Sequence, residues 1–177
     1  MGDDMANTNQ KITLKGNPVK VTGREVRVGD ALPDFVLSGA DLGDVTANVA
    51  AGKVMVLLAI PSLDTPVCAV ETKKFNQEAK SLGSDVAILA VSRDLPFAQK
   101  RWCGAEGVEN VTCASDYKYR TFGQAFGVDV EDVGILARAV FVVDKQGKVQ
   151  YADYVQEVAD EPDYDSVFAK VRELSGK

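Results

Sequence analysis

Two strongly apolar segments, separated by a helical pattern, constrain the fold of this chain most. The runs "KVMVLLAI" (53–60) and "DVAILAVS" (85–92) are continuously apolar, which is typical of strands buried on both faces of a sheet. Between them, "PVCAVETKKFNQEAKSLG" (66–83) predicts a helix that ends at Gly83. Two strands joined through a helix form a βαβ unit, so residues 53–92 predict a parallel pair inside a larger sheet.

The remaining segments extend this unit into an α/β fold. Sequence patterns predict, in chain order, a hairpin at 11–21, a short helix at 94–107, a short strand at 110–115, a hairpin at 137–155 and an amphipathic helix at 161–174. This order predicts a central mixed sheet flanked by helices on both faces, close to a thioredoxin-like α/β architecture with an N-terminal β-hairpin. We expect a single domain over residues 11–177, preceded by a flexible tail over residues 1–10.

Local signals predict where several of these elements turn, begin or end. Residues 16–18 (GNP) are expected to mark the turn of the first hairpin, and Asp94 is expected to cap the helix at 94–107. Gly104 is placed near the end of that helix, and Gly123 is expected to interrupt a later short helix. The acidic segment 129–134 is interpreted as a solvated loop, because it lacks the ligand spacing of an EF-hand calcium loop.

Charge and hydropathy restrict the partners of the chain. Its net charge of -6 argues against nucleic acid or an anionic membrane as the main partner. The longest apolar run is the length of a strand, so we expect no membrane-spanning helix. The first ten residues have neither the basic region nor the apolar core of a secretory signal, and we therefore expect a cytoplasmic protein.

The chain has no histidine and three cysteines, which narrows its chemistry. The absence of histidine excludes Cys-His and Ser-His nucleophile pairs and metal sites that depend on an imidazole. The cysteine count is odd and no C-x-x-C pair occurs, so a structural disulfide framework is not expected. Acid–base chemistry would require a perturbed cysteine, carboxyl or lysine.

The segment "PSLDTPVC" (61–68) places a cysteine at the start of the first long helix. Thr65 is a good N-cap and Pro66 suits the first helical position, so Cys68 falls in the first turn. Unpaired backbone N–H groups and the helix dipole favour an anion there, so we expect this thiol to be partly thiolate at neutral pH. Helical periodicity places Cys68 on the same inward face as Phe75. A buried cysteine that only packs as a small apolar residue is the alternative interpretation.

The Cys68 segment and several later segments resemble, in the same order along the chain, the sequence pattern of one protein family. Pro61, Thr65 and Cys68 are in register with P-x-x-x-T-x-x-C, the active-site motif of the peroxiredoxins. "LPFAQKRWCGAEG" resembles the segment that carries the second redox cysteine in the bacterial thiol peroxidase subfamily, and "ARAVFVVD" resembles the strand that carries its active-site arginine. The N-terminal hairpin and the "EPDY" before the last helix also fit, so the resemblance covers roughly residues 11–175.

This resemblance implies an atypical two-cysteine peroxiredoxin. Cys68 would be the peroxidatic thiolate, which attacks the terminal peroxide oxygen and becomes a sulfenic acid. Thr65 and Arg138 would hold the peroxide oxygens and stabilise charge, while Pro61 would shield the pocket. Cys103 would condense with the sulfenic acid to give an intrachain disulfide, which a thioredoxin would reduce.

The resemblance also implies the partners of such an enzyme. The substrates would be hydroperoxides, with alkyl hydroperoxides favoured alongside hydrogen peroxide, and the chain would form a homodimer. The implied chemistry requires no metal and no other cofactor.

Each site residue also has a plainer interpretation. Thr65 could be only an N-cap, Pro61 only a turn residue, Arg138 a solvated residue at a strand end, and Cys103 inert. Cys113, in "NVTCAS", is expected to be a packing residue without a redox role.

Two other functions share the predicted fold. A disulfide oxidoreductase of the thioredoxin type requires a C-x-x-C pair, whereas Cys68 stands alone in its turn. A non-catalytic thioredoxin-like binding module gives no reason for Pro61, Thr65, Cys68 and Arg138 to occur together. A non-peroxidase redox or binding protein is therefore the alternative to the peroxidase.

Overall fold

The structure of the protein is a computed structural model that describes residues 10–176. The flexible tail predicted over residues 1–10 lies outside the described residues, apart from Gln10. Within the described range, no helix is both long and apolar enough to cross a membrane.

The long elements follow the predicted order. Over residues 10–176 the strands are β1 (Thr13–Leu14), β2 (Asn17–Pro18), β3 (Leu37–Ser38), β4 (Asp44–Val45), β5 (Val54–Ala59), β6 (Val86–Ser92), β7 (Thr112–Ser115), β8 (Asp129–Val130), β9 (Ile135–Leu136), β10 (Ala139–Val143) and β11 (Val149–Tyr154). The helices over the same range are α1 (Pro66–Leu82), α2 (Pro96–Glu106), α3 (Thr121–Ala125) and α4 (Tyr164–Ser175), with a 3-10 turn at Ala47–Ala50. The short β8–β9 pair is an addition that the sequence pattern does not predict.

Seven of these strands form one mixed sheet, in the order β11-β10-β5-β6-β7-β3-β4. Strands β5, β6 and β7 are parallel, whereas β10 runs antiparallel to β5 and β11 antiparallel to β10. Every residue of β5 is buried, which explains its continuous apolar sequence. The β5–α1–β6 connection confirms the βαβ unit predicted for residues 53–92.

The sheet separates two apolar layers. One layer packs α1, α2 and α4 against one face, through residues such as Phe75, Trp102 and Phe168. The other packs α3 and the N-terminal segments against the opposite face, through residues such as Phe122 and Phe35. Helices therefore lie on both faces of a mixed sheet, as predicted.

The C-terminal helix α4 carries the predicted apolar stripe. Val167 and Val171 are fully buried, and Leu174 packs at the edge of the same layer. Asp163 caps the helix by accepting a hydrogen bond of 3.2 Å from the backbone N–H of Ser166. Helix α4 packs on β5 and β10. Strand β5 leads to the start of α1, and β10 begins directly after Arg138.

The turn of the first hairpin lies one residue earlier than the predicted turn at residues 16–18. Lys15 and Gly16 have φ values of 52° and 79°, the left-handed backbone that a two-residue hairpin requires. Asn17 and Pro18 instead form β2 and pair with β1. Proline is tolerated there because β2 is the edge of a two-stranded ribbon.

Helix α2 differs from its predicted start but matches its predicted end. Leu95 occupies the N-cap position, and Asp94 does not cap the helix but faces the loop before α1. Gly104 lies near the end of the helix, as predicted, and the helix ends at Gly107, which has a φ of 66° and donates its N–H to the carbonyl of Cys103. Cys103 is therefore in the last turn of α2.

The acidic segment 129–134 is only partly the solvated loop that its composition predicts. Asp129 is buried and accepts a hydrogen bond of 2.8 Å from Arg93, which also pairs with Asp116. Residues 131–133 are exposed, as predicted. The prediction is wrong for Asp129, because a cation 36 residues earlier in the chain satisfies the charge of its carboxylate.

Gly123 does not interrupt α3, because it lies in the middle of that helix. A Cβ atom at this position would lie 2.7 Å from Nη2 of Arg93. The glycine therefore makes room for the buried ion pair between Arg93 and Asp129.

Candidate active site

The loop between β5 and α1 carries Pro61 and Thr65, and Asp94 fixes its shape. Asp94 follows β6, the parallel neighbour of β5, and accepts hydrogen bonds from the Ser62 hydroxyl (2.7 Å) and the Leu63 backbone N–H (2.8 Å). A carboxylate that accepts two hydrogen bonds from one short loop restricts its conformation. The residue predicted to cap α2 thus positions the start of α1 instead.

Thr65 occupies the predicted N-cap position of α1, with an extended backbone, and Pro66 is the first helical residue. Its hydroxyl does not cap the helix; it donates a hydrogen bond of 2.8 Å to the carbonyl of Ser62. The hydroxyl proton is thereby used within the loop, while the oxygen lone pairs can still accept a hydrogen bond from a bound molecule.

Cys68 lies in the first turn of α1 and is completely buried. Its Sγ atom accepts a hydrogen bond of 3.1 Å from Nη2 of Arg138, which precedes β10. This contact joins residues that are 70 positions apart in the chain. A guanidinium at this distance offers the sulfur a hydrogen-bond donor and a positive charge, and the helix N-terminus adds a dipole that favours an anion.

Arg138 is held on three sides. Its Nε donates to the carbonyl of Val158 at 2.9 Å, its Nη1 donates to the carboxylate of Glu71, and its Nη2 donates to Cys68. The side chain is 1% exposed, so these contacts lie in a water-poor interior where electrostatic interactions are strong. Three of the five guanidinium N–H groups are used in this way, which leaves two for other contacts.

Glu71 is the main site residue that the sequence interpretation missed. Burial raises the pKa of Glu71 to about 7, although Arg138 acts to lower it. For Arg138, burial acts to lower the pKa, but Glu71 and Cys68 outweigh it and the net shift is upward. Oε1 of Glu71 finds no hydrogen-bond partner among residues 10–176. The available signal was an acidic residue three positions after Cys68 on the inward face of α1.

A cavity of about 270 Å³ opens beside this cluster. Thr65 and Arg138 supply polar groups to it, and Pro61 forms part of its wall. Much of the remaining lining is apolar and comes from Leu14, Val67, Ile135 and Val158. Cys68 itself is not among the lining residues. The structure thus brings Pro61, Thr65 and Arg138 together around one cavity, with the Cys68 sulfur held by Arg138.

Cys103 lies on a different surface, against Cys113. The two Sγ atoms are 3.1 Å apart, and both residues line an open groove of about 390 Å³. Cys113 packs against the apolar layer, as expected, but it is partly exposed and has a sulfur neighbour. All three cysteines are free thiols, so the Cys68–Cys103 disulfide stays a prediction.

Metal ligands are not grouped in the described part of the chain. Over residues 10–176, no cluster of three or more Cys, Asp or Glu side chains is arranged to hold a metal ion. The groups available at the site are a buried sulfur, a guanidinium, a hydroxyl and a carboxyl that titrates near neutrality.

Comparisons with known proteins agree on one family. The model of the redoxin family matches residues 27–168. The chain is 46% identical to a thiol peroxidase of Bacillus subtilis, covering 93% of this chain and 98% of the relative, and 50% identical to a thiol peroxidase of Clostridium acetobutylicum, covering 89% and 94%. The crystal structure of a peroxiredoxin-like protein from Aquifex aeolicus superposes with a TM-score of 0.88 at 46% identity, covering 96% of this chain and 99% of the other.

Proposed function

This chain belongs to the redoxin family and is a thiol-dependent peroxidase, and we propose that Cys68 is the thiol that reduces its hydroperoxide substrate. The thioredoxin-like fold and the peroxiredoxin resemblance inferred from the sequence are confirmed. The observation that supports the role of Cys68 most directly is the 3.1 Å contact between its sulfur and Arg138. A thiolate is the reactive form of cysteine, and a buried cation stabilises it.

The groups that line the cavity match the needs of a hydroperoxide. The Thr65 oxygen would accept the hydrogen bond of the peroxide O–H, because its own proton is donated to Ser62. The two remaining N–H groups of Arg138 would donate to the peroxide oxygens. The substrate would then be held by both partners with its terminal oxygen towards the sulfur.

The reaction transfers one oxygen atom. The Cys68 thiolate attacks the terminal peroxide oxygen, the O–O bond breaks, and Cys68 becomes a sulfenic acid. The leaving alkoxide takes up a proton and departs as an alcohol. Arg138 stabilises the negative charge as it moves from sulfur to the leaving oxygen, because its position is fixed in advance by Glu71 and Val158.

The wall of the cavity supports an alkyl hydroperoxide as the preferred substrate. Leu14, Val67, Ile135 and Val158 would contact the organic group of such a peroxide, whereas hydrogen peroxide has no group to fill this space. Comparing kcat/KM for an alkyl hydroperoxide and for hydrogen peroxide tests this preference. A value for hydrogen peroxide that equals or exceeds the alkyl value would contradict it.

Cys103 is the proposed resolving residue. Its thiolate would attack the sulfenic sulfur of Cys68, releasing water and forming a disulfide that thioredoxin reduces. Without this step, the sulfenic acid remains open to a second peroxide and is over-oxidised. Cys103→Ser should therefore complete one turnover and then accumulate Cys68 sulfinic acid, as measured by peptide mass. Continued turnover of this variant with thioredoxin would contradict the assignment.

The decisive test of the nucleophile is Cys68→Ser in an assay coupled to thioredoxin, thioredoxin reductase and an alkyl hydroperoxide. We expect turnover to be abolished while circular dichroism shows an unchanged fold. Ala69→Ser is the matched control, because it introduces the same side chain in the same helical turn at a half-buried position. Peroxidase activity in Cys68→Ser would overturn the proposed role.

A homodimer and a cytoplasmic location complete the proposal. Leu95 and Phe97, at the start of α2, are apolar side chains that are 51% and 66% exposed, a surface that a second copy would cover. Sedimentation of the wild-type protein and of Phe97→Asp measures this. A wild-type monomer at micromolar concentration would contradict the dimer.

A further inference from the structure

We propose that Cys113 is a third redox-active residue, and that the disulfide passes from Cys68–Cys103 to Cys103–Cys113 before a reductant removes it. This inference rests on the proposed function, because the Cys68–Cys103 disulfide is the oxidant for the transfer. It assigns a second redox pair to the groove formed by α2 and β7.

The fold holds the two sulfurs of this pair against each other. Their separation of 3.1 Å must shorten only to the roughly 2 Å of a disulfide bond. Gln99 lies one helical turn before Cys103 and donates a hydrogen bond of 3.0 Å to the carbonyl of Ala114, the residue after Cys113. This bond ties α2 to β7 beside the cysteines, and the parallel pairing of Cys113 with Ala90 fixes β7 in the sheet.

The transfer is an ordinary thiol–disulfide exchange with balanced atoms and electrons. Cys113 loses its proton, and its thiolate attacks Sγ of Cys103 in the Cys68–Cys103 disulfide. The bond between Cys103 and Cys68 breaks, and Cys68 departs as a thiolate beside Arg138. One disulfide is present before and after the step, so no external oxidant is consumed.

The electrostatics of the pair set the order of events. In the reduced enzyme, the contact between the two sulfurs lowers the pKa of Cys103 and raises the pKa of Cys113. Cys103 is thus the thiolate that attacks the sulfenic acid first. Once Cys103 is part of a disulfide, its sulfur is no longer a thiol or a thiolate, so both its hydrogen bond with Cys113, the largest cause of the raised pKa of Cys113, and its charge are lost, which favours the second step.

The positions of the cysteines in α1 and α2 favour the transfer of the disulfide to Cys103–Cys113. Cys68 is in the first turn of α1 and Cys103 in the last turn of α2, and we expect a helix end to open when the two cysteines bond. The Cys103–Cys113 bond joins atoms that are already neighbours, so α2 can re-form when the disulfide moves. The number of disulfides is the same in both states, and the state with intact helices is therefore the more stable.

The transfer also brings the disulfide to a surface that a protein can reach. Cys68 is 0% exposed, whereas Cys103 and Cys113 line the open groove together with Lys100 and Asp41. A protein reductant must place its own thiolate in line with a disulfide sulfur. The groove offers that approach at a place separate from the peroxide cavity.

The test follows the disulfide through one turnover. Reduced full-length wild-type protein receives one equivalent of tert-butyl hydroperoxide, is quenched at intervals with N-ethylmaleimide, and is digested with trypsin. Residues 102–118 form a single tryptic peptide that contains both Cys103 and Cys113. An internal disulfide makes this peptide lighter by two hydrogen atoms, and cleavage after Glu106 or Glu109 confirms the bridge.

We expect a Cys68–Cys103 linked peptide to appear first and to decline as the internally bridged peptide grows, with Cys68 then alkylated. A Cys68–Cys103 link that persists until thioredoxin is added would overturn the transfer. A Cys68–Cys113 link would also overturn it. Both outcomes leave the peroxidase reaction intact, so they are distinguishable from failure of the proposed function, in which Cys68→Ser would remain active.

Two substitutions at Cys113 measure the kinetic effect. Cys113→Ser and Cys113→Ala should leave the first turnover unchanged and slow the thioredoxin-driven turnover about tenfold, because the reductant must then attack a bond to buried Cys68. Thr112→Ser, an exposed neighbour on β7, should behave as wild type. Normal turnover in Cys113→Ser with slow turnover in Cys113→Ala would show only a hydrogen-bond donor at this position and would overturn the disulfide. Normal turnover in both variants would also overturn the proposed Cys103–Cys113 disulfide.

Discussion

The two sulfur sites of this protein lie on the same side of the sheet and differ in almost every other respect. Cys68 is fully buried at the start of a helix, and its neighbour is a guanidinium held on three sides. Cys103 is half-buried at the end of a helix, and its neighbour is another thiol in an open groove. The first site excludes water and fixes charge, whereas the second offers access and a helix end that can open.

This difference follows from the two tasks of the enzyme. Breaking an O–O bond requires a charge arrangement that does not have to reorganise, which is best provided by a buried, fully partnered site. Passing a disulfide to another protein requires exposure and local mobility, which are properties of helix ends and grooves. Under the proposed mechanism, the site on α1 carries out the first task and the site on α2 the second.

The largest expected effect comes from changing the cation of the buried site. Arg138→Lys keeps the charge but cannot contact Cys68, Glu71 and the Val158 carbonyl together, so the rate of the first turnover should fall about 100- to 1000-fold. Stopped-flow measurement with an alkyl hydroperoxide gives this rate. Arg172→Lys, in a half-exposed pair with Glu78, is the control.

The comparison also predicts that this loss is confined to one site. Alkylation of Cys103 in Arg138→Lys should proceed at the wild-type rate, because the groove shares no contact with the arginine. An unchanged first-turnover rate in Arg138→Lys would remove the electrostatic account of the buried site.

The next effect is on the pH dependence of stability. The pKa of Glu71 is raised from 4.5 to about 7 in the folded protein. Between these values the folded protein holds a proton that the unfolded chain has lost, so the free energy of unfolding falls as pH rises through this window, by about 3 kcal/mol. Glu71→Gln has no such proton and should lack this part of the slope.

Urea unfolding at several pH values between 4.5 and 8 measures both slopes. Glu78→Gln, on the same helix but half-exposed, should keep the wild-type slope. Equal slopes in the wild type and Glu71→Gln would show that Glu71 is ionised throughout and that the buried site holds a fixed ion pair.

The smallest expected effect is on the Cys103 site, at the end of α2. Gly107 ends α2 with a φ of 66° and no atom near its missing Cβ, so Gly107→Ala strains only the backbone, by about 1 kcal/mol. The last turn of α2 should open more often, and Cys68–Cys103 disulfide formation should accelerate up to about fivefold.

Gly147→Ala is the matched control for this prediction. Gly147 has a φ of 80° and equally open surroundings, but it lies in the turn between β10 and β11. It should cost similar stability and leave the rate of disulfide formation unchanged. Equal rates in both glycine variants would mean that opening of α2 does not limit disulfide formation.

The sequence predicted most of the buried site because its signals are local. An apolar strand, a threonine at the N-cap position, a proline and a cysteine follow one another within a few residues, and each favours the same strand–turn–helix structure. Arg138 was assigned only through family resemblance, since nothing in its own segment indicates that it contacts a residue 70 positions away. Glu71 was missed for the same reason, because its role depends on that arginine.

Asp94 and Cys113 show the limit more sharply. Asp94 precedes a helix, so its local sequence favours a cap. Its carboxylate instead accepts hydrogen bonds from the loop that follows β5, the parallel neighbour of β6. Cys113 contacts Cys103 because of how α2 packs on β7, and a pattern along the chain does not report packing angle or register. Local signals therefore placed the elements, and contacts between elements decided several of the roles.

The N-terminal hairpin has a consequence for the biosynthesis of the enzyme. Thr13 in β1 exchanges backbone hydrogen bonds of 2.7 and 2.8 Å with Gln156 and Val158, so the cavity wall joins the first and last parts of the fold. Arg138 emerges from the ribosome 70 residues after Cys68, a delay on the order of ten seconds at typical rates of synthesis. A nascent chain therefore exposes Cys68 for several seconds before the arginine that contacts its sulfur becomes available.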